Sequence, residues 1–414
     1  MSHLKKISVN NLVPGMYFSG FDGPWIDNPF WKNKFLITNH KEIKQAQTSG
    51  FEHCWIDVSK GKDVQESSLT AEEHELLGDI ASGLSEESLD LLYEVEDAKR
   101  LYDQAKEITQ TMFKQVRLGR AIDTAECLRL VDEIAASVTR GSSILTSVVR
   151  LKQADEYSYI HSVAVCALMV SLGKTLGMDD ASCKEAGLAG YLHDVGKAFI
   201  PLEVLNKPGK LTDPEFRIVQ RHPTLGYEYL RGDPKVPDYA STVCLHHHEK
   251  LDGSGYPGKQ QGNAITIYAR MAAICDVYDA ITSDRPYKQG WDPAESIAQM
   301  ASWDGHFDRP MFLAFVRTLG IYPVGSIVKL KSGRRGLVIK QNHNDLTKPV
   351  VKAFTISDAF EVLHTELVDL GSTSTQDGIA ERSGEDWLKL KGLSMSFVDH
   401  MKSGIADSRA ISVA

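Results

Sequence analysis

The 414-residue chain is longer than a single compact core usually is, so its length predicts two or three domains. Its formal net charge of -9 argues against a general DNA-binding or membrane-surface protein, because both classes need excess Lys and Arg. No stretch reaches the roughly 20 apolar residues of a membrane span, and the start has no secretory signal. The six scattered cysteines are typical of reduced thiols. We therefore expect a cytoplasmic protein that spans no membrane and binds no DNA.

The first 123 residues predict two regions. Residues 1–65 combine short apolar runs ("MYFSGF", "KFLIT", "EHCWIDV") with Gly, Pro and Trp, which predicts a small β-rich N-terminal domain. Residues 66–123 predict a helical connector that opens at the capping-box pattern of Thr70 and Glu73. The connector's "LDLLYEVEDAKRLYDQAKEITQTMF" has apolar residues at helical spacing, and "RLGRAIDT" breaks the pattern.

The remaining chain predicts a second helical region and a β-containing end. Residues 124–320 hold every His-rich segment, and "IYARMAAICDVYDAIT" within them is apolar nearly all round, which indicates a buried helix. Thr212 and Glu215 form a second capping-box pattern. Residues 321–414 begin with two β-rich runs around Ser332-Gly333, a hairpin signal, and end in a polar tail. The predicted fold class is mainly α, with a small β-rich N-terminal domain and a short β-containing C-terminal region.

Several residues of the helical region are candidate metal ligands, and they are spread over more than a hundred positions. In chain order they are His161, the pair His193-Asp194, His222, the cluster His246 to His248, and Asp276. No zinc-finger spacing applies, but the helices of a bundle can bring such residues to one core site. Each has a structural alternative when taken alone: His222, before Pro223, fits a residue favoured at a helix C-terminus. Asp276 is harder to explain, because a buried carboxylate needs a metal or a basic partner.

The segment "YLHDVGK" carries the sharpest signal. Adjacent His193 and Asp194 at a helix end can bind one ion together, and the second carboxylate oxygen of Asp194 can reach another ion. Lys197 follows about one helical turn later, where it could place a cation beside a metal-bound phosphate.

These motifs, in this order, resemble the HD-GYP subgroup of the HD phosphohydrolase superfamily. The resemblance runs from about residue 161 to residue 288 and includes "HD" followed by "GK", "HHE", "DGSGYP" and "DVYDAITSDRPYK". It implies an HD-type helical bundle. The first 65 residues resemble, more weakly, a small domain often found ahead of HD-GYP domains.

The resemblance implies a metal-dependent phosphodiesterase that opens cyclic di-GMP to pGpG and, in some members, to GMP. Carried onto this chain, the metal ligands would be His161, His193, Asp194, His222, His247, His248 and Asp276. Asp194 would bridge two ions. Counting back from Gly255 places the histidines of the family motif at His247 and His248, so His246 is an extra residue.

Two divalent ions would lower the pKa of a bound water towards about 7 and hold the phosphate for in-line attack by the resulting hydroxide. The resemblance favours iron or manganese, and zinc, magnesium, nickel and cobalt stay open. Members with three ions carry a Glu four residues before the first ligand histidine, where this chain has Tyr157. We therefore expect two ions, and complete hydrolysis to GMP stays open.

The family's substrate contacts can be carried over in the same way. Lys197 would neutralise charge on the phosphoryl oxygens. Arg285 and Lys288 match positions that contact substrate phosphate. Asp279 lies one turn after Asp276 and could either bond a guanine edge or orient a ligand.

A signature loop follows the histidines, made of Asp252, Gly253, Gly255, Tyr256 and Pro257. The glycines permit backbone conformations that other residues resist, and Pro257 fixes the exit. Tyr256 is either a packing anchor or a surface for substrate or a partner. In the family this loop is linked to contacts with diguanylate cyclase (GGDEF) domains, so such a domain is a candidate partner.

Two other hypotheses stay open. One is an HD phosphohydrolase of another nucleotide, such as cyclic GMP-AMP, although the GYP loop and "SDRPYK" argue against it. The other is a module that binds cyclic di-GMP or a cyclase without turnover, although the complete ligand set argues against it. A homodimer also stays open.

Overall fold

The computed structural model describes residues 3–21, 34–62 (apart from 39, 48, 50 and 52), 86–140, 157–283, 290–356 (apart from 343) and 362–382. The protein is mainly α-helical, with a small β-sheet near each end, which confirms the predicted fold class. The chain divides near residue 93 into two compact units, which are described separately. The domain boundaries given above stay predictions. In the described part of the chain, no helix is both long and apolar enough to cross a membrane.

The first unit contains a four-stranded antiparallel sheet and one short helix. Its elements are β1 (Leu4–Ser8), β2 (Tyr17–Phe21), β3 (Phe35–Leu36), α1 (His40–Gln47) and β4 (His53–Asp57). The strand order is β1-β4-β2-β3. The three runs singled out in the sequence contain β2, β3 and β4, whereas β1 and α1 were not predicted. Phe18 and Ile56 are fully buried in the small core. The predicted capping box at Thr70 and Glu73 lies outside the described residues.

Helices dominate the second unit, and one long helix leads into it. The helices are α2 (Glu86–Arg117), α3 (Thr124–Arg140), α4 (Tyr157–Thr175), α5 (Asp180–Leu192), α6 (Leu202–Leu205), α7 (Asp213–Val219), α8 (His222–Arg231), α9 (Asp238–His246), α10 (Ile267–Thr282), α11 (Pro293–Ala301) and α12 (Arg309–Leu319).

Local sequence signals explain where several helices start. Asp179 caps α5 by accepting a hydrogen bond from the Ser182 amide at 2.7 Å, and Asp308 caps α12 through the Met311 amide at 3.1 Å. The predicted capping box of Thr212 and Glu215 is confirmed at the start of α7. The helix predicted from its apolar pattern is confirmed as α10.

Helices α4 and α10 run through the core that holds the site. Residues 160–172 of α4 are buried without interruption, because the segment has apolar or small side chains on every face. Side chains of α4, α5, α10, α11 and α12 share one hydrophobic cluster. The Thr109 Oγ1 of α2 lies 2.9 Å from the hydroxyl of Tyr191 in α5, and both side chains are buried. Rigid helices thus surround the segment His193-Asp194.

The C-terminal region is a sheet rather than a lone hairpin. Its strands are β5 (Ile327–Leu330), β6 (Arg335–Lys340), β7 (Val350–Ile356), β8 (Val362–Asp369) and β9 (Ile379–Arg382). The order is β8-β7-β6-β5-β9, and all pairs are antiparallel. The hairpin predicted around Ser332-Gly333 is confirmed as β5–β6. The polar tail predicted for about the last 40 residues contains β9, and its residues from 383 onward lie outside the described part of the chain.

Candidate metal centre

Five separate chain segments bring the predicted ligands together. His161 lies within α4, His193-Asp194 directly follow α5, and His222 is the first residue of α8. His247-His248 follow α9, and Asp276 lies within α10. His222 stands at the start of α8, three residues after the end of α7, so the alternative of a residue at a helix C-terminus stays open.

One half of the cluster is formed by His161, His193 and Asp276. The Nε2 atom of His161 lies 3.0 Å from Oδ1 of Asp276, and the Nε2 atom of His193 lies 3.8 Å from the same oxygen. One ligand atom from each residue lies within 4.8 Å of the others. All three side chains are buried, so their donor atoms face each other instead of water.

The other half is formed by His222, His247 and His248, whose ligand atoms also lie within 4.8 Å of one another. Asp194 stands between the two halves. Its Oδ2 lies 3.4 Å from Nε2 of both His161 and His193, and its Oδ1 lies 3.1 Å from Nε2 of His222. One carboxylate therefore faces both groups with different oxygens.

Three of the histidines are oriented by the same local device. The Nδ1–H of His193 donates to the Gly190 carbonyl at 2.6 Å. Likewise, His222 donates to Val219 at 2.7 Å, and His247 donates to Cys244 at 2.9 Å. In each case the acceptor stands three residues earlier in the chain. A ring whose Nδ1 carries the proton presents its Nε2 lone pair to the cluster, which is the form that binds a metal.

The distance between the facing rings of His222 and His247 indicates whether a cation fits between them. Their Nε2 atoms are 3.2 Å apart, yet both rings already use Nδ1 as the donor, so neither neutral ring can donate across the gap. Two nitrogen donors about 2.1 Å from one ion, at right angles, stand about 3 Å apart. The buried Nε2 of His193 also has no hydrogen-bond partner among the described residues. These atoms fit a metal centre.

His161 is oriented by a carboxylate instead of a carbonyl. Its Nδ1 lies 2.6 Å from Oδ2 of Asp279, whose side chain is 1 % exposed. Asp279 thus contacts a candidate ligand directly. Of the two roles left open from the sequence, this geometry favours the orientation of a ligand.

The pKa values of the cluster follow from burial and from close charges. Burial alone raises the pKa of Asp194, but Lys197 and His193 outweigh it and hold the pKa well below its ordinary value. Burial, together with the neighbouring His222, lowers the pKa of His248 to about 3, against the opposing effect of Asp276. Burial and the adjacent histidines also place the pKa of His247 well below its ordinary value. Asp194 is thus ionised and the imidazoles of His247 and His248 are neutral, which are the forms that metals bind. For His161, burial lowers the pKa, but the carboxylates of Asp194, Asp276 and Asp279 outweigh it and raise the pKa to about 10.

Lys197 reaches this cluster. It lies in the 3₁₀ segment Val195–Phe199 after the His-Asp pair, and its Nζ forms an ion pair with Oδ2 of Asp194. Arg285 and Lys288, the other predicted phosphate contacts, lie outside the described residues. The side chain of Tyr157 does so too, so the expected number of ions stays a prediction.

His246 points away from the cluster. Its Nδ1 lies 3.6 Å from Oε1 of Glu249, and its Nε2 lies 3.3 Å from the side-chain amide of Gln260. The buried Glu249 carboxylate accepts hydrogen bonds from the amides of Gly258 at 2.6 Å and Gln260 at 3.1 Å. Glu249 therefore fastens the segment beyond the signature loop to the end of α9.

The signature loop lies beside His248. Asp252 accepts a hydrogen bond from the Ser254 amide at 2.8 Å, and Gly253 has a φ of 81°, a conformation that favours glycine. The half-buried Tyr256 ring stacks on the His248 ring, with centroids 4.8 Å apart and planes at 28°. Pro257 is exposed at the loop exit.

The role of Gly196 was not predicted from the sequence. A Cβ atom at this position would lie 1.9 Å from the His222 carbonyl oxygen and 2.6 Å from the Gly226 amide nitrogen. Only glycine lets the turn after His193-Asp194 approach the start of α8 so closely. The signals available were the glycines of "HDVGK" and of "HPTLGYE", which do not disclose that the two segments meet.

The helical bundle, with its His-Asp pair, further histidines and inward carboxylates, defines the class of HD-domain phosphohydrolases. Residues 132–311 match the family model described as "HD domain". Residues 4–127 match a second model, described as "Domain of unknown function (DUF3391)".

Relatives of known name extend this assignment. The chain is 45% identical to cyclic di-GMP phosphodiesterase PA4108 of Pseudomonas aeruginosa, over 98% of this chain and 97% of that protein. It is 38% identical to the response regulator RpfG of Xanthomonas campestris pv. campestris, a cyclic di-GMP phosphodiesterase, over 39% of this chain and 44% of that one. It is 40% identical to 3'3'-cGAMP-specific phosphodiesterase 1 of Vibrio cholerae, over 39% of this chain and 38% of that protein. The chain belongs to the family of HD-domain cyclic di-GMP phosphodiesterases.

Proposed function

We propose that this protein hydrolyses a phosphodiester bond of cyclic di-GMP and releases pGpG, at a centre for two divalent ions. The observation that carries the proposal is the position of Asp194, whose two oxygens face the two histidine groups within 3.1 to 3.4 Å. A carboxylate placed in this way suits a bridge between two ions. When bound, such ions supply a Lewis acid that activates water and holds the phosphate.

The proposed ligand set has two halves that share Asp194. His161, His193 and Asp276 would hold one ion, and His222, His247 and His248 would hold the other. Imidazole with carboxylate suits borderline ions, and the resemblance favours iron or manganese over zinc, magnesium, nickel or cobalt. Tyr157, in place of a further Glu ligand, supports two ions instead of three.

The remaining roles follow from charge and position. Lys197, which already reaches Asp194, would stabilise negative charge on the phosphoryl oxygens, and Arg285 and Lys288 would bind the substrate phosphates. Asp279 would hold the ring of His161 instead of touching the substrate.

We also propose a cellular location and a partner for the protein. Six buried cysteines without a disulfide support a cytoplasmic location, where a nucleotide second messenger is also found. The exposed residues of the signature loop, Asp252, Ser254 and Pro257, would be available to a diguanylate cyclase domain. A homodimer is a further hypothesis.

A second candidate substrate is cyclic GMP-AMP. The observation that favours it is the 40% identity to the relative named 3'3'-cGAMP-specific phosphodiesterase 1, over 39% of this chain. Both substrates offer the same phosphodiester to the ions, so only the contacts to the bases would separate them. The ratio of kcat/KM for the two, measured on one preparation, decides between the candidates.

The proposal is tested with the full-length protein, purified anaerobically and supplied with Mn²⁺ or Fe²⁺. Cyclic di-GMP is added, and the products are separated by chromatography. We expect pGpG from the wild type and no product from His193→Ala or Asp194→Ala. Absence of product from metal-loaded wild type, shown by elemental analysis to hold two ions, would refute hydrolysis of cyclic di-GMP and leave the cyclic GMP-AMP and binding-module hypotheses.

A further inference from the structure

In the six-residue stretch from Asp252 to Pro257, the half-buried side chain of Tyr256 is turned towards the candidate metal centre. Tyr256 stacks on His248 with the ring centroids 4.8 Å apart, and its backbone amide donates to the His248 carbonyl at 3.2 Å. The loop thus contacts one candidate ligand with both ring and backbone.

His248 differs from the other candidate ligands in what holds its ring. His193, His222 and His247 donate Nδ1–H to carbonyls, and His161 is held by Asp279. The His248 ring makes no hydrogen bond to the described residues, and its Nδ1 lies 3.7 Å from Oδ2 of Asp276. Its side chain is also the most exposed of the set, at 24 %. The ring also packs against the rings of His247 and His222, with centroids 4.1 Å and 5.0 Å away, but no hydrogen bond to the described residues fixes its rotation.

The loop is built to keep that contact in place. A Cβ atom on Gly255 would lie 2.4 Å from the Lys250 amide nitrogen and 2.5 Å from Cα of Glu249, so only glycine allows the loop to lie against the backbone there. On the far side of Tyr256, the amides of Gly258 and Gln260 donate to the buried Glu249 carboxylate. The tyrosine is therefore fixed from both directions along the chain.

We propose that Tyr256 is a positioning residue, which holds His248 in the orientation that ligates the ion shared with His222 and His247. The inference rests on the metal centre proposed above. Stacking of two aromatic rings contributes up to about 1.5 kcal/mol, which is about tenfold in an equilibrium constant. Loss of a residue that orients a metal ligand typically lowers metal affinity by about tenfold or more. Loss of the tyrosine ring should therefore lower the binding affinity for one of the two ions by about tenfold or more and leave the affinity for the other unchanged.

The test measures metal binding instead of turnover. Protein freed of metal by chelation is titrated anaerobically with Mn²⁺ by calorimetry, and the retained ions are counted by elemental analysis after desalting. The variants are Tyr256→Leu, which removes the ring, and Tyr256→Phe, which keeps the ring and loses only the hydroxyl. Tyr239→Leu is the matched control, because Tyr239 lies on α9, before the histidines, and packs edge-on against Tyr268 at 6.0 Å instead.

We expect the wild type, Tyr256→Phe and Tyr239→Leu to bind two ions with the same affinities. In Tyr256→Leu we expect weaker binding of one of the two ions. Two ions of unchanged affinity in Tyr256→Leu would overturn the inference. A wild type that binds no ions would instead overturn the proposed function. Should Tyr256→Leu not fold, Tyr256→Met is titrated in the same way, and two ions of unchanged affinity in that variant would refute the inference.

Discussion

Asp279 holds His161 through a hydrogen bond of 2.6 Å between two side chains that are each 1 % exposed. The carboxylate can only accept, so Nδ1 of His161 donates and its Nε2 faces Asp194 and Asp276. Asp279, for which a contact to the substrate was one of two open roles, thus contacts a candidate ligand.

Asp279→Ala should lower the affinity for divalent metal by about 10–100-fold, because the His161 ring loses the partner that fixes its orientation. Asp279→Asn keeps an oxygen acceptor at the same position, so its affinity for divalent metal should fall less than that of Asp279→Ala. Competition with a chelator for Mn²⁺ measures both. Equal affinity in the wild type and Asp279→Ala would contradict the orienting role.

The histidine cluster after α9 provides a matched pair of variants. His247→Ala should lose metal and activity, because its buried Nε2 faces His222 at 3.2 Å. His246→Ala should retain both ions and most activity, because its ring faces Glu249 and Gln260. Metal content and the rate of cyclic di-GMP hydrolysis are the measurements. Similar losses in the two variants would show that the register of the motif is wrong.

Lys197→Gln should keep both ions but lower kcat by about 10²–10³-fold, the range seen when one donor to a developing negative charge is removed. Lys184→Gln is the control, because the Lys184 Nζ is bound to Asp132 at 2.7 Å on the surface of α5 and α3. Kinetics and elemental analysis on the same preparations separate the two effects. A fall in metal content that matched the fall in kcat would show that Lys197 supports the ions and not the phosphate.

Gly196→Ala should destabilise the fold by about 1–3 kcal/mol or more, because the added Cβ meets the backbone of α8 and nothing there can rotate away. Gly232→Ala serves as the comparison: its Cβ would be 3.2 Å from the Tyr229 carbonyl, and a change within about 1 kcal/mol is expected. Urea unfolding of metal-free protein gives both values. A Gly196→Ala protein as stable as the wild type would mean that the two segments are not in contact.

The ring of His306 stacks on Phe307 with centroids 4.2 Å apart, and burial together with Lys250 lowers its pKa to about 4, against the opposing effect of Asp252. In the unfolded chain His306 has a pKa of about 6.5. As the pH falls, the unfolded chain is therefore protonated at His306 before the folded protein is. His306 therefore favours the folded state above pH 6.5, and this contribution is lost between pH 6.5 and 4. After allowance for solvent screening, the loss at pH 5 should be about 1 kcal/mol.

His306→Gln removes the titrating group, and its stability should fall less than that of the wild type between pH 7.5 and 5. Chemical unfolding of metal-free protein at both pH values, with the wild type alongside, provides the comparison. Parallel losses in the two proteins would assign the pH dependence to other groups.

Sequence patterns predicted the helical region well because its signals are local. The capping box of Thr212 and Glu215 and the apolar run of α10 depend on neighbours within a few turns. The candidate ligands could be collected for other reasons: Asp276 lies in an apolar helix and needs a partner, and the resemblance to the HD-GYP subgroup supplies the set of seven residues. The contact between Gly196 and α8, and the stacking of Tyr256 on His248, depend on how distant segments meet. No period or spacing carries that information.

The same division between local and distant contacts bears on how the protein acquires its ions. The Nδ1–carbonyl hydrogen bonds of His193, His222 and His247 each close within four consecutive residues, so these rings take their orientation from their own backbone segments. Packing of the helices brings these oriented rings into one cluster. The fold would therefore impose little choice among ions of similar size and coordination preference, and the supply of metal in the cell would decide which one the protein carries.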